Sequence, residues 1–391
     1  MTPPKRTVLL AWEAGTGLGH AKRLFNIALR LKSKGWSVLV AAKDLWAAAN
    51  EYRAASLPLL QAPSRTIGKL NFRVCSYADI LAICGYRDVE KLLPPVLAWD
   101  GMIDLIRPDV IVADFAPLLT LAAYDRIPVL AVGDGFVLPP AHLPRMPALR
   151  SGPSNLPEEP ALLANAAAVQ RQRKLSIPQT LPSLIGGQAH VVCTYPETDI
   201  YARLRVEPAA GPLQISPSTP DCPQRQGVFA YLDLALAHTS KLLEILIRCG
   251  FPLEVFVRDL PARMKSALRV ANVHVHETPP PLAEVAERAS LIVHHGGIGT
   301  AEAALALGRP QFLLPKHLEQ SLNAANLVRL GVAMRLEPNF SLAEGSAAVA
   351  EAISSESLSE KAQEAAARLA KRPSVSLERI ISLCEDLSRS S

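Results

Sequence analysis

The sequence contains no long apolar run, no closely spaced cysteine pair and few aromatic residues. No uninterrupted apolar stretch approaches the about 18 residues of a membrane-spanning helix. The first residues also lack the apolar core of a signal peptide. Six cysteines are widely separated without a C-x-x-C motif, which argues against structural zinc and favours reduced thiols. We therefore expect a cytoplasmic protein, with any membrane contact peripheral to the inner face.

The charged residues do not cluster by sign. Forty-one basic and 36 acidic residues give a formal net charge of +5, and the lysines and arginines are scattered. A nucleic-acid-binding face normally needs a basic patch, so nucleic acid is not an expected partner. A modest positive charge suits an anionic small ligand instead. With 391 residues, of which 49% are hydrophobic, the chain is predicted to be globular and to form two domains.

Short apolar runs alternate with helical patterns along both halves of the chain. Such alternation indicates β-α-β units, which build parallel sheets covered by helices on both faces. The fold class is therefore α/β, with two doubly wound domains expected to face each other across a cleft. Strands are predicted at 6–12, 37–42, 109–114, 128–132 and 190–195 in the first half, and at 227–232, 253–258, 273–277, 291–295 and 310–315 in the second.

A segment rich in proline, glycine and serine separates the two halves. Because proline does not join central strands, 206–226 is predicted to be a linker. The first domain is then 1–205 and the second is 227–391, which ends in a helical pattern at 357–387. Within the first domain, 139–187 has many prolines and no strand signal. It is interpreted as a variable insert over the cleft.

A glycine-rich turn follows the predicted strand at 291–295. In "HHGGIGT", His294 ends the strand, and Gly296, Gly297 and Gly299 lead into a helical pattern with Thr300 at its start. A helix N-terminus presents unpaired N–H groups and a partial positive charge, and glycine lets the backbone approach an anion closely. The pattern predicts a phosphate-binding turn.

Acidic and amide side chains stand near the same predicted sheet edge. Glu302 lies in the first turn of the helix, where it either caps that helix or accepts hydrogen bonds from sugar hydroxyls. Glu319 and Gln320 follow the next strand. A carboxylate beside a carboxamide offers acceptors and donors in a fixed order, which suits a sugar. Phosphate and hydroxyl signals together suggest a sugar nucleotide.

The span 279–331 resembles the nucleotide-sugar signature of family 1 glycosyltransferases of the GT-B fold, the UDP-glycosyltransferase and macrolide-glycosyltransferase type. The match is ordered and covers about fifty residues of the second domain. The residues that carry it are His294, Gly296, Gly297, Gly299, Thr300, Glu302, Gly308, Pro310, Glu319, Gln320, Asn323 and Ala324.

The resemblance implies transfer of a sugar from a UDP or dTDP sugar to a hydroxyl of a small-molecule or lipid acceptor. It also implies direct displacement with inversion and no metal or other cofactor, and the sequence has no D-x-D motif. The implied donor contacts are His294, Gly297 and Thr300 to the diphosphate, Glu302 to the ribose, and Glu319 with Gln320 to hydroxyls of the transferred sugar.

The loop after the first strand, "EAGTGLGHAKR", resembles the opening of the same fold and supplies a candidate general base. An imidazole titrates near neutral pH, so His20 suits removal of a proton from an acceptor hydroxyl. Asp114, at the end of the strand 109–114, corresponds to the aspartate that orients such a base. Helix capping is the alternative for both residues. Asp134 competes with Asp114 for this role, and Glu13 has no assigned task.

Three other ionisable residues of the second half lie outside this assignment. Asp233 stands where the family has a small residue, and a carboxylate repels a diphosphate. Either its side chain points away, or that part of the donor site is rebuilt. His274 and His276 alternate in the strand 273–277, so they are expected to face opposite sides and to be structural.

Two other functions remain open on the sequence. The first is a sugar-nucleotide epimerase of the same fold, for which Glu13, His20 and Asp114 would supply ionisable groups. The second is a non-catalytic GT-B-like helper that activates a partner enzyme, which Asp233 would favour.

Overall fold

A computed structural model describes residues 5–15, 18–46, 49–64, 73–152, 157–213, 227–234, 237–271, 273–372 and 374–389. The chain divides into two compact units. One comprises Met1–Leu213 with Val375–Ser391, and the other comprises Gln214–Ser374. Of the predicted linker 206–226, residues 214–226 lie outside the described ranges.

The first unit is built on a six-stranded parallel sheet. Its strands are β1 (Thr7–Trp12), β2 (Ser37–Ala42), β3 (Leu59–Gln61), β4 (Val110–Asp114), β5 (Val129–Gly133) and β6 (Ala189–Val192). Its helices are α1 (Leu18–Ser33), α2 (Ala49–Ala54), α3 (Tyr77–Leu81) with a π-turn at Ala82–Tyr86, α4 (Val89–Ile106), α5 (Pro117–Ala123), α6 (Glu159–Arg173), α7 (Leu181–Gly186) and a 3-10 turn at Ala202–Leu204.

Continuous apolar strands put a hydrophobic core on each face of this sheet. Successive side chains of a strand point to opposite faces. In β1, Leu9 and Ala11 therefore pack with the layer that contains α4, while Val8 and Leu10 pack with α1. Helices on both faces are what a fully buried parallel sheet requires.

The second unit contains another six-stranded parallel sheet. Its strands are β7 (Gly227–Asp233), β8 (Leu253–Arg258), β9 (His274–Val275), β10 (Ala289–His294), β11 (Gln311–Leu313) and β12 (Ala333–Arg335). Its helices are α8 (Ala237–Arg248), α9 (Ala262–Val270), α10 (Leu282–Ala286), α11 (Ile298–Ala306), α12 (Leu318–Arg329), α13 (Leu342–Ser354) and α14 (Glu356–Ala370).

The two sheets share one topology. The strand orders are β3-β2-β1-β4-β5-β6 and β12-β11-β10-β7-β8-β9. In each unit, the first strand pairs with both the second and the fourth, which creates a topological switch point where ligands of doubly wound folds bind. The predicted α/β fold class is confirmed. The short edge strands β3 and β12 were not predicted.

The assignment of the last helix to the second domain is wrong. Helix α15 (Ser376–Leu387) belongs to the first unit. Its buried residues Ile380, Ile381 and Cys384 join the core formed by α1 and the strands. The predicted pattern at 357–387 in fact spans α14 and α15, and an apolar helix face does not reveal which sheet it will cover.

Part of the segment 139–187, which the sequence predicts to be a variable insert over the cleft, packs in the core of the first unit. Helix α6 buries Leu162, Ala166 and Val169 in the same core as Leu9 and Ile111. It therefore helps to cover one sheet face.

The expectation that His274 and His276 face opposite ways is wrong as well, because residues two apart along a strand share a face. Their ring centroids lie 4.5 Å apart.

Among the described residues, we find no helix with both the length and the apolar character to cross a membrane.

Candidate active site

Polar residues gather at the carboxyl ends of the strands that flank each switch point. In the first unit these are Glu13, directly after β1, and Asp114, at the end of β4. In the second unit they are Asp233 at the end of β7, and His294 and His295 at the end of β10. Each set is positioned by the parallel pairing of its two central strands.

The structure brings the predicted base and its predicted partner together. His20 lies in the first turn of α1, and its Nδ1 is 2.9 Å from Asp114 Oδ1. The side chain of Asp114 is fully buried, while that of His20 is 12% exposed. An ionised carboxylate only accepts hydrogen bonds, so Nδ1 carries the proton and Nε2 has a free lone pair.

Sequence reasoning missed a third member of this cluster, Arg23. Its Nη1 donates to both carboxylate oxygens of Asp114 at 2.9 and 2.8 Å, and its Nη2 lies 3.4 Å from Asp134 Oδ2. Arg23 is three residues after His20 on α1, so both side chains project from the same helix face. Asp114 and Asp134 were the two candidates for orienting the base. Both contact the guanidinium of Arg23, but of the two it is Asp114 that binds the imidazole of His20.

Burial and charge oppose each other at Asp114. Burial alone would raise the pKa of this carboxyl, but the adjacent guanidinium of Arg23 and the imidazole of His20 hold the pKa below its usual value. The pKa of Arg23 is likewise raised, since Asp114 and Asp134 outweigh its burial. Asp114 is therefore a carboxylate at neutral pH.

The backbone of the loop before α1 is shaped to the base. Gly15 has φ +80°, and a Cβ there would lie 2.9 Å from Phe115 and 3.0 Å from His20 Nε2. Only glycine fits this close approach without strain. Trp12 stacks on the His20 ring at a centroid distance of 5.2 Å, and Phe115 lies at 5.9 Å. Both rings limit the positions that the imidazole can take.

Glu13, which had no assigned task, binds the start of a helix. Its carboxyl accepts from Trp99 Nε1 at 2.6 Å, from Leu118 N, and from Leu119 N at 3.2 Å, at the first turn of α5. Burial raises its pKa to about 8 despite these donors. All its described hydrogen bonds hold α5 and α4, so we assign it a structural role.

In the second unit, both nitrogens of His294 have partners within the protein. Gly296 N–H donates to Nδ1 at 3.1 Å, and Nε2 lies 2.9 Å from the Gln311 amide oxygen. The Gln311 NH2 group donates to Ala301 O, which fixes the amide orientation. Nε2 therefore carries the proton, and the ring holds the turn in place. Its predicted contact with phosphate stays a prediction, which would require one of these bonds to open.

His295, which the sequence analysis left unassigned, links three strands. Asp233 N–H donates to Nε2 at 3.1 Å, and Nδ1 lies 2.8 Å from Leu314 O. Burial lowers the pKa of His294 and of His295 to about 4, so both rings are neutral at physiological pH. This unit therefore contributes dipoles rather than charged imidazoles.

The carboxylate of Asp233, which seemed unsuited to a phosphate site, is paired with a lysine. Lys316 Nζ lies 2.6 Å from Asp233 Oδ2. Lys316 follows β11, beside the strand that carries His294, and its side chain is 16% exposed. The pair has no net charge, which removes the objection of simple repulsion. A single basic residue after a strand gave no pattern from which sequence reasoning could find it.

The predicted glycine turn leaves the N-terminus of α11 open. Gly297 is the N-cap of α11 and provides no side-chain hydrogen bond. A Cβ built on Gly297 or on Gly299 would meet nothing within 4 Å. Gly296 differs, because its φ is +86° and a Cβ would lie 3.0 Å from Gln320 O. Gly296 shapes the turn, whereas Gly297 and Gly299 border free space at the helix N-terminus.

The remaining predicted donor residues lie near the starts of two helices, although Glu302 is in the second turn of its helix and not in the first turn as expected. Thr300 and the buried Glu302 are in α11, and Glu319 and Gln320 are in α12. Gln320 Oε1 accepts from Lys316 N–H at 2.9 Å, so its NH2 group is the part left for a ligand. Asn323 Nδ2 donates to Gly296 O at 3.1 Å, which ties α12 to the turn.

Comparison with known proteins agrees with this geometry. Residues 253–387 match the family described as Erythromycin biosynthesis protein CIII-like, C-terminal domain. The L-demethylnoviosyl transferase of Streptomyces niveus is 24% identical over 341 residues, which cover 82% of this chain and 83% of that protein. A solved structure of glycosyltransferase VinC in complex with DTDP has a TM-score of 0.69 at 16% identity, covering 98% and 100% of the two chains. Spinosyn rhamnosyltransferase SpnG complexed with spinosyn aglycone has a TM-score of 0.64 at 16% identity, covering 97% and 99%.

The two parallel-sheet units therefore have the GT-B fold, which the solved glycosyltransferase structures share. Within the second unit and α15, residues 253–387 are similar to the CIII-like C-terminal domain, and most of the chain is similar to a curated glycosyltransferase. The fold expected from the sequence is confirmed, and these similarities support the expected family and enzyme class.

The neutral histidines of the second unit should make its stability depend on pH. A histidine whose folded pKa lies below its unfolded value favours folding above about pH 6.5, and loses that contribution as the pH falls to about 4. Each ring contributes on the order of 3 kcal/mol over this interval. Hydrogen exchange of peptides from 273–372 should therefore accelerate between pH 6.5 and 4, after correction for the intrinsic rate.

His294→Gln should reduce the acceleration of hydrogen exchange in peptides from 273–372 between pH 6.5 and 4. The control is His142→Gln, at an exposed position of the first unit, which should leave that acceleration unchanged. Tryptophan fluorescence is not a suitable readout, because Trp12, Trp36, Trp46 and Trp99 all belong to the first unit. Equal pH dependence in wild type and His294→Gln would contradict the neutral assignment of this ring.

Proposed function

We propose that the protein transfers a sugar from a UDP or dTDP sugar to a hydroxyl of a small-molecule or lipid acceptor, with inversion and without a metal ion. The observation that carries this proposal is the partly buried hydrogen bond between His20 Nδ1 and Asp114 Oδ1, because it leaves Nε2 as a proton acceptor. The open N-terminus of α11 supplies the matching anion site.

His20 acts as the general base in this mechanism. Nε2 takes the proton of the acceptor hydroxyl as that oxygen attacks the anomeric carbon. The resulting imidazolium is stabilised by the Asp114 carboxylate on its other nitrogen. Displacement in one step, from the side opposite the leaving group, inverts the anomeric centre and needs no carboxylate nucleophile.

The leaving nucleoside diphosphate is stabilised by the second unit. Free N–H groups at the start of α11 and the positive end of its dipole favour a developing negative charge. Thr300 adds a hydroxyl, and the ammonium group of Lys316, whose charge is balanced by Asp233, adds N–H donors. Helix dipole, hydroxyl and ammonium N–H groups together stabilise the leaving group without a divalent metal. The DTDP held by VinC supports a diphosphate nucleotide as the leaving group.

Arg23 is a positioning residue for this base. Its guanidinium fixes both oxygens of Asp114 and is shared with Asp134, so two carboxylates and one guanidinium leave a net negative charge beside His20. Such a charge favours the imidazolium that forms during transfer. The planar fork of arginine sets the carboxylate orientation, which a lysine would not.

The test of the function is acceptor-dependent release of nucleoside diphosphate. The purified chain is incubated with UDP and dTDP sugars, with and without a panel of hydroxylated apolar acceptors, and the products are separated. Release that requires an acceptor and yields a glycoside supports transfer. Interconversion of the sugar without an acceptor would support an epimerase, and absence of turnover together with absence of UDP and dTDP binding would overturn the proposal.

Gly297→Ala should weaken nucleotide binding without destabilising the protein. The φ of Gly297 is −61° and its added Cβ would meet nothing in the folded chain, but that methyl would occupy the space above the α11 N-terminus. We expect a loss of dTDP or UDP affinity of roughly tenfold or more, corresponding to at least about 1.4 kcal/mol, measured by calorimetry. Gly101→Ala, in α4 with equally open surroundings, is the matched control. Unchanged affinity in Gly297→Ala would place the phosphates elsewhere.

His20→Gln should abolish most of the turnover and leave dTDP affinity close to that of wild type. A general base contributes about 10²–10⁴-fold to the rate, and the anion site belongs to the other unit. Steady-state kinetics and calorimetry on the same preparation check this. Parallel loss of nucleotide affinity would argue against the assignment of His20.

Arg23→Gln should move the acidic limb of the kcat/KM profile to higher pH. Loss of the guanidinium removes a positive charge beside His20 and Asp114, so these two side chains should keep their shared proton up to a higher pH. The displacement should be on the order of one pH unit or more. Arg23→Lys keeps the charge and should keep the limb, although with a lower kcat. A purely structural role of Arg23 would lower kcat at every pH and leave the limb in place.

A further inference from the structure

A histidine pair and a glutamate meet on one face of the second sheet. His274 and His276 are two residues apart at the edge strand β9. Glu254 lies directly opposite His274 in the parallel register of β8 and β9. Because residues two apart share a face and register partners are neighbours, all three side chains project together. This juxtaposition depends on strand pairing and is independent of the proposed transfer reaction.

The three side chains are close enough to share one ion. One ligand atom from each lies within 4.8 Å of the others, and His276 Nε2 is 2.9 Å from Glu254 Oε2. Tetrahedral zinc, with ligand bonds of about 2.0–2.2 Å, places its ligands roughly 3.4 Å apart. The exposed His274 ring is free to supply the small remaining movement by side-chain rotation.

Neighbouring residues orient the ligands. Arg288 donates to both oxygens of Glu254, through Nε at 2.6 Å and Nη2 at 2.9 Å. The Phe229 ring contacts the edge of His276 at a centroid distance of 5.9 Å. Arg288 is 56% exposed, so it can turn into solvent when a cation takes its place on the carboxylate. The guanidinium is thus both a support for Glu254 and a competitor for its lone pairs.

We propose that Glu254, His274 and His276 form a zinc site, with water in the fourth position, that fastens the edge strand β9 to β8. Two imidazoles and one carboxylate are a ligand set that Zn²⁺ accepts in tetrahedral geometry. Glu254 lies four residues before Arg258, the register partner of Asp233. That separation is about 13 Å along the strand, so the ion would be structural and would not touch the donor end of the sheet.

Calorimetric titration of the full chain, freed of any histidine tag, with zinc chloride tests the site. We expect one ion per chain and a higher midpoint of thermal unfolding in its presence. His274→Ala and His276→Ala should each lower zinc affinity by about tenfold or more, as loss of a metal ligand does. The exposed His142→Ala in the first unit is the matched control and should bind zinc like wild type. Arg288→Gln should bind zinc more tightly, because the carboxylate loses its competitor.

Cobalt substitution distinguishes these ligands from cysteine. Co²⁺ bound by imidazole and carboxylate should give visible d–d absorption without the near-ultraviolet charge-transfer band of a thiolate ligand. Circular dichroism verifies that each variant is folded. The proposal is overturned if His274→Ala and His276→Ala bind zinc as wild type does, if wild type binds none, or if the cobalt spectrum shows thiolate ligation.

Discussion

Direct parallel pairing between the first and fourth strands of each unit is the constraint on which the polar cluster of that unit depends. Where β1 meets β4, and where β7 meets β10, the following loops leave in opposite directions and open a space at the strand ends. His20 reaches Asp114 because α1 starts from that opening. The N-terminus of α11 is exposed for the same reason. Without this strand order, neither cluster would form.

The two units solve the problem of buried polar groups in opposite ways. In the first, Asp114, Arg23 and Asp134 stay charged and compensate one another through hydrogen bonds. In the second, His294 and His295 lose their charge on burial and bind through oriented lone pairs and N–H groups. A base that must accept a proton benefits from nearby negative charge, while a site for a diphosphate benefits from N–H dipoles that need no proton. The electrostatics of each unit therefore suit a different partner in the proposed transfer.

Sequence patterns predicted which segments form helices and strands better than they predicted what those helices, strands and side chains contact. Buried parallel strands such as β1 and β4 are continuous apolar runs, and the glycine turn after β10 belongs to a long ordered motif, so both were predicted. Helix α15 was assigned to the wrong unit because an amphipathic pattern predicts that one helix face is buried, but it does not indicate which sheet that face packs against. Arg23 and Lys316 escaped notice for a related reason. Their significance lies in ion pairs with residues 91 and 83 positions away, and single basic residues form no local pattern.

The sequence by itself determined the alternating fold, the resemblance to a glycosyltransferase family, and the residue types at the strand ends, since these follow from local periodicity, backbone freedom at glycine and an ordered motif. Only the tertiary structure decided which groups share a proton, which charge is compensated and which ring nitrogen is left to accept. Those properties depend on distances of about 3 Å between residues remote in the chain, at which hydrogen bonds form. Strand register and helix packing set such distances, and no stretch of sequence contains both partners.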